Sequence, residues 1–181
     1  MIRLTIYGDF NCPFSALASA RADSLLAAGA HEIDWRAIQH DTTIPIDGEP
    51  VEGAIAAQLG AEVATIIELS ERDLRLHLVV PPVRSNTAAS CAAFAAAGDR
   101  RNDLRRRFFA AVWAEGRNLG DPDELERLSA RLRDGATARR WQDAFEALPR
   151  PITPTLVLPD GYVSRGLGAL SRLAELVAVT A

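Results

Sequence analysis

An α/β fold class is predicted by three changes of character along the sequence: a strand–helix–strand opening, a long helical middle, and a strand pair closed by one helix. Of the 181 residues, 48% are hydrophobic and 24% charged, which is ordinary for a globular chain and sufficient for a substantial core. Residues 2–8, IRLTIYG, set Ile2, Leu4 and Ile6 against Arg3, Thr5 and Tyr7, the alternation of a strand. Pro13 suits the first turn of a helix, where its missing N–H costs nothing. Phe14 to Ala28 is rich in alanine and leucine, and Gly29 stands where a left-handed cap is expected. A second strand follows in Glu32–Ile38, so the opening reads as a βαβ unit with a parallel pair.

Gln39 to Pro50 reads as loop, punctuated by Pro45, Gly48 and Pro50. From 51 to 147 the pattern is almost wholly helical, in segments near 52–72, 86–98, 100–117, 121–133 and 136–147. Interruptions fall at Pro81-Pro82 and at Gly120-Asp121-Pro122. Asp121, Pro122 and Glu124 supply a side-chain cap, a first-turn proline and an acid near the positive helix end. Asn86 or Thr87 caps the alanine run that follows. At the end, Thr155–Leu158 and Tyr162–Arg165 flank the turn Pro159-Asp160-Gly161. A last helix over 168–177 carries Leu170, Leu173, Leu176 and Val177 at helical spacing.

The net charge of −4 and a pI near 5.4 argue against binding nucleic acid or an anionic membrane by the whole surface. One basic cluster, Arg100 to Arg107, lies in a helical pattern with Phe108, Phe109 and Val112 and reads as a solvated face. No apolar run reaches the roughly 18 residues of a membrane span. Met1 to Leu4 enters a strand pattern without an apolar leader, so a cytoplasmic location is expected. The two cysteines, Cys12 and Cys91, make no disulfide framework, and with three dispersed histidines they make no metal site of recognisable spacing.

Four stretches carry a family resemblance: Asp9-Phe10-Asn11-Cys12-Pro13-Phe14-Ser15, Ser85-Asn86-Thr87, Trp113-Ala114-Glu115-Gly116 and Ile152-Thr153-Pro154-Thr155. In this order they resemble the thioredoxin-like fold with a helical insertion. They are similar to the DsbA-type group of FrnE-like disulfide oxidoreductases, 2-hydroxychromene-2-carboxylate isomerases and kappa-class glutathione transferases. The resemblance implies a thioredoxin-like domain in two parts, 1–50 and 148–181, with a helical insertion over 51–147. It also implies a cis peptide at Pro154, facing the active-site turn, and a Thr153 backbone presented to an extended thiol substrate, with Pro13 and Phe14 beside it. Oxidoreductases of the group have cysteine where this chain has Ser15, whereas its transferases and isomerases commonly have serine at both positions. Cys12 with Ser15 is a hybrid of the two patterns.

Cys12 should sit at a helix amino end, where free N–H groups and the dipole favour thiolate, so a lowered pKa is expected. Ser15, about one turn on, lies where its hydroxyl can donate to the sulfur. The bland alternative for Cys12 is a buried free thiol. Serine cannot close a disulfide, so a mixed disulfide on Cys12 needs an outside thiol such as glutathione. Cys91, in an apolar helix, reads as a core cysteine rather than a resolving one. Asp9 reads as a turn cap, with a buried acid near Cys12 as its alternative; His40 and Asp41 follow the second strand at the same end. Tyr162, Ser164, Arg165 and Gly166-Leu167-Gly168 frame a helix entrance able to receive a carboxylate, although capping alone explains the glycines.

The leading expectation is a thiol–disulfide oxidoreductase with Cys12 as nucleophile, Ser15 as its partner, and Thr153 and Pro154 holding substrate. The alternatives are a glutathione-dependent isomerase or transferase and a non-catalytic binding module. No tightly bound cofactor and no metal are expected. Partners are a thiol-bearing protein or small molecule, with glutathione as co-substrate, and an apolar insertion surface is compatible with a homodimer.

Overall fold

The computed structural model describes residues 2–29, 31–128, 130 and 135–180. Strand β1 (Ile2–Gly8), helix α1 (Pro13–Ala27) and strand β2 (His31–Ala37) form the βαβ unit. β1 and β2 run parallel, with Leu4 opposite Ile33, Ile6 opposite Trp35 and Gly8 opposite Ala37. These six residues share one face and are buried, apolar or without a side chain, as period-two alternation requires. Gly8 is glycine for a packing reason: a Cβ there would run into the Trp35 indole.

The middle of the chain holds β3 (Glu49–Pro50), α2 (Gly53–Ser70), β4 (Val83–Arg84), α3 (Ala88–Ala95), α4 (Arg101–Trp113), α5 (Pro122–Arg127) and α6 (Ala136–Glu146). β5 (Thr155–Val157), β6 (Val163–Arg165) and α7 (Leu167–Thr180) follow. Both ends of the chain build one sheet, ordered β2-β1-β5-β6, in which β5 runs antiparallel to β1 and to β6. The architecture is a thioredoxin-like fold with helices inserted between its two parts.

Four sequence expectations need correction. The stretch from 51 to 147 is not wholly helical, because Glu49–Pro50 pairs antiparallel with Val83–Arg84 and residues 75–82 carry no helix. Pro81 and Pro82 cannot continue a helix; they lead into β4, and the Pro82 carbonyl accepts the Val51 N–H at 2.9 Å. The helix entered at 86 begins at Ala88, and the one ascribed to 100–117 ends at Trp113. Only Pro122–Arg127 of the helix expected over 121–133 is seen as helix, and residues 129 and 131–134 lie outside the described residues.

The fourth correction concerns the basic cluster, which is not simply a solvated face. Arg105 is fully buried, pairs with Asp23 of α1, and lies 5.3 Å over the Trp35 ring. Its neighbour Arg106 reaches the same carboxylate at 3.3 Å from a half-exposed position. α4 therefore packs on α1 with an ion pair between them, and its buried face carries Leu104, Phe108, Phe109 and Val112.

Beneath the first turn sits an aromatic cluster. Phe10, fully buried, meets the rings of Phe108, Phe109 and Phe94 at centroid distances of 5.0, 5.2 and 5.9 Å, all edge-on. This anchor fixes the loop that presents the cysteine.

Candidate active site

The turn after β1 is built by short-range hydrogen bonds. The Cys12 N–H donates to the Asp9 carbonyl at 3.1 Å, and the Asn11 N–H donates to Asp9 Oδ1 at 2.9 Å. Cys12 is the N-cap residue of α1, with Pro13 at the first helical position and the Ala16 N–H on the Cys12 carbonyl at 3.1 Å. Asp9 takes both roles foreseen for it. It caps the turn, and it is a buried acid whose Oδ2 accepts the His40 N–H at 2.8 Å. Burial raises its pKa above the ordinary carboxylate value of 3.8, opposed by those two N–H groups.

The insertion is sewn to this turn. Asn11 Nδ2 donates to the Ser85 carbonyl at 2.6 Å, and the Ser85 N–H donates back to Asn11 Oδ1 at 3.0 Å. Ser85 Oγ accepts the Leu119 N–H at 2.9 Å, and Trp113 Nε1 donates to the Phe10 carbonyl at 2.8 Å. The two middle stretches of the family pattern are thus structural ties that hold helices against the nucleophile turn.

Opposite Cys12 stands the loop before β5, where the Thr153–Pro154 peptide is cis. The Cys12 thiol donates to the Thr153 carbonyl at 3.7 Å, and Thr155 Oγ1 holds the preceding loop by donating to the Ile152 carbonyl at 2.5 Å. Cys12, Pro13, Phe14 and Thr153 line one cleft of about 370 Å³ together with Asp9, His40 and Asp41. Ser15 lies beneath it, fully buried, its hydroxyl accepting the Asp9 N–H at 3.3 Å.

The expected lowering of the Cys12 pKa is overturned. The residue is only half-buried, but dense surroundings of the sulfur push the thiol above its ordinary 9.0, and the Asp9 charge adds to the rise. The Thr153 and Ser15 side chains and the Ser15 N–H favour thiolate without overcoming that burial. Helix N-terminal stabilisation is real but is limited to what a few N–H groups supply. Cys91 is buried in the core, and its thiol too is pushed up, chiefly by burial.

Tyr162, Ser164, Arg165 and Gly166-Leu167-Gly168 do not line this cleft, and the Gly166 N–H is already spent on the Pro154 carbonyl at 2.8 Å. The helix entrance therefore stabilises the cis-proline loop, as a cap would. Sequence reasoning missed the α2 wall, with Ile55, Gln58, Leu59 and Glu62, and it missed Arg84. Arg84 donates to Asp41 Oδ2 at 2.9 Å and to Glu49 Oε2 at 2.6 Å. Its one local signal was its place directly before Ser85-Asn86-Thr87. Among the described residues no group of three or more His, Cys, Asp or Glu side chains is placed to hold a metal ion, and no helix is long and apolar enough to cross a membrane.

A half-buried cysteine at a helix tip, facing the residue before a cis-proline across a four-stranded mixed sheet, defines a thioredoxin-fold protein with a single-cysteine turn. The model of the DSBA-like thioredoxin domain matches residues 3–140, and the chain belongs to that family. No curated protein matches it in sequence. Among solved structures it is similar to a probable DsbA oxidoreductase from Streptomyces coelicolor, with 19% identity and a TM-score of 0.76 over 99% of this chain and 90% of the other. It is similar to the cytosolic disulfide reductase DsbM from Pseudomonas aeruginosa, solved with GSH, at 18% identity and a TM-score of 0.68 over 98% and 96%. A 2-hydroxychromene-2-carboxylate isomerase gives 21% identity and a TM-score of 0.62 over 98% and 93%. At these identities the likeness is one of fold.

Proposed function

We propose that this protein catalyses thiol–disulfide exchange through Cys12 alone. The carrying observation is the 3.7 Å approach of the Cys12 sulfur to the Thr153 carbonyl at the cis-proline loop, on the wall of an open cleft. An extended substrate pairing with the Thr153 backbone would bring its disulfide to that sulfur. The Cys12 thiolate attacks one sulfur, a mixed disulfide forms, and the other sulfur leaves as thiolate and takes a proton. Ser15 offers no second sulfur, so an outside thiol of the glutathione type completes the cycle.

The raised Cys12 pKa gives this cycle a direction. Strong disulfide oxidants owe their potential to a stabilised reduced thiolate. Here burial disfavours the thiolate, which supports reduction or isomerisation of disulfides over their net formation. A raised thiol loses thiolate fraction faster than it gains intrinsic nucleophilicity, so exchange is expected to be slower at neutral pH than at alkaline pH.

The test uses a neutral disulfide, bis(2-hydroxyethyl) disulfide, with intact mass and peptide mapping across pH. A single adduct on Cys12, absent in Cys12→Ser, is expected, with a rate still climbing past pH 8.5. An unreactive Cys12 discards the proposal, and a plateau below pH 8 discards the raised pKa.

A glutathione-dependent isomerase or transferase acting on a small apolar electrophile is the second reading. It is supported by a cleft of small-molecule size and by a thiol that stays protonated beside Ser15. Glutathione binding by calorimetry, weakened in Ser15→Ala, is its expected outcome; no heat at millimolar glutathione removes it.

A further inference from the structure

The charges of the Cys12 cleft have a pattern that the exchange chemistry does not require. The carboxylates on its wall are Asp9, Asp41 and Glu62, and its one guanidinium is Arg84. Arg84 is spanned by two acids, Asp41 and Glu49, through its two terminal nitrogens, so it carries no surplus positive charge toward a ligand. Glu62 is different. It is half-buried on the α2 wall, accepts only the neutral Gln58 amide at 3.0 Å, and has no ion pair among the described contacts. Asp9 is held by two backbone N–H groups and makes no ion pair among the described residues, the Arg84 charge acting on it only through space. Arg150, two residues before Ile152, is exposed and does not line the cleft. His40 is exposed and also lines the cleft.

We infer that the Cys12 cleft selects small disulfides whose reacting sulfur is flanked by a cationic amine, and disfavours anionic ones such as glutathione disulfide. This rests on the exchange reading above and names the substrate class of that same site. A cleft with one sign of charge and low-dielectric walls concentrates ligands of the opposite sign. Cystamine places an ammonium two carbons from sulfur, and Glu62 and Asp41 line the same cleft as Cys12. Glutathione disulfide brings carboxylates to the same walls. The step itself is unchanged: the Sγ–S bond forms, the probe's S–S bond breaks, and the departing thiolate takes up the proton that Cys12 released to solvent.

The experiment compares three disulfides on the full chain at pH 8: cystamine, bis(2-hydroxyethyl) disulfide and glutathione disulfide. Adduct rates at Cys12 are each divided by that probe's rate with free 2-mercaptoethanol, which removes leaving-group differences. Cystamine is expected to exceed the neutral probe by about tenfold at low salt, and glutathione disulfide to fall below it. The advantage should collapse at 1 M salt, where the Debye length is about 3 Å. Glu62→Gln should lower the cystamine-to-neutral ratio, and Glu62→Arg should invert the order of the charged probes. Equal normalised rates, faster glutathione disulfide, or a ratio indifferent to both Glu62 variants overturns the inference. If none of the three probes modifies Cys12, the exchange reading itself fails, which is a separate outcome.

Discussion

At Ser15 the hydroxyl serves two neighbours at once. It accepts the Asp9 N–H and favours the Cys12 thiolate. Ser15→Ala therefore removes a stabiliser of the charged sulfur and leaves a buried N–H unpaired. The Cys12 titration midpoint, followed by thiol alkylation against pH, is expected to rise further, with slower alkylation at pH 7. An unchanged midpoint would show that the hydroxyl faces Asp9 alone. The helix-tip position of Cys12 was legible in the sequence, because strand alternation, Pro13 and the alanine run are local signals. Its pKa direction was not, because it is set by burial, which arises only once the chain is packed.

Between elements, the tie of greatest consequence outside the site is Arg105 on α4 with Asp23 on α1. Arg105 is fully buried and its Nε and Nη1 find no hydrogen-bond partner, so Asp23 is the anion that makes its charge tolerable. Asp23→Ala leaves that guanidinium uncompensated and is expected to cost about 3–5 kcal/mol, read as a lower urea midpoint. A loss under about 1 kcal/mol, the range of an exposed ion pair, would show that water reaches Arg105. In the sequence, Arg105 is one of a run of arginines, and only its phase with Leu104, Phe108 and Val112 hinted that it faces inward. The β3–β4 pair gave less warning still. Two-residue strands carry no periodicity, and their partners lie about thirty residues apart across α2.

For the molecule as a whole, both cysteines tie stability to pH. The Cys12 and Cys91 thiols are raised above 9.0 in the folded chain, each mainly by burial. Below pH 9 both thiols are protonated in either state and their contribution is complete. Above it the unfolded chain releases protons that the native chain keeps, so native stability falls by up to about 1.4 kcal/mol per pH unit for each thiol. The melting temperature is expected to drop steadily from pH 9 to 10.5, and Cys91→Ala should roughly halve the slope. A slope unaffected by that change would show that Cys91 ionises inside the fold. The fold class was readable from element order, whereas the joining of both chain ends in one domain was legible only through the family resemblance. The acidic cleft was not, because its walls come from α2, the loop after β2 and β4, which approach one another only in the folded chain.

Ser85 gives its N–H and C=O to Asn11 and its hydroxyl to Leu119, so one small residue is a rivet through three layers of chain. With Trp113 pinned to Phe10, the nucleophile turn is tied to α4 and, through Ser85, to the neighbouring Arg84 on the cleft wall. A substrate that pries the cleft wider must also tug the cysteine out of line with Thr153. The Arg84 side of the cleft and the reactive sulfur are thus geared together, so a shift of one is expected to carry the other.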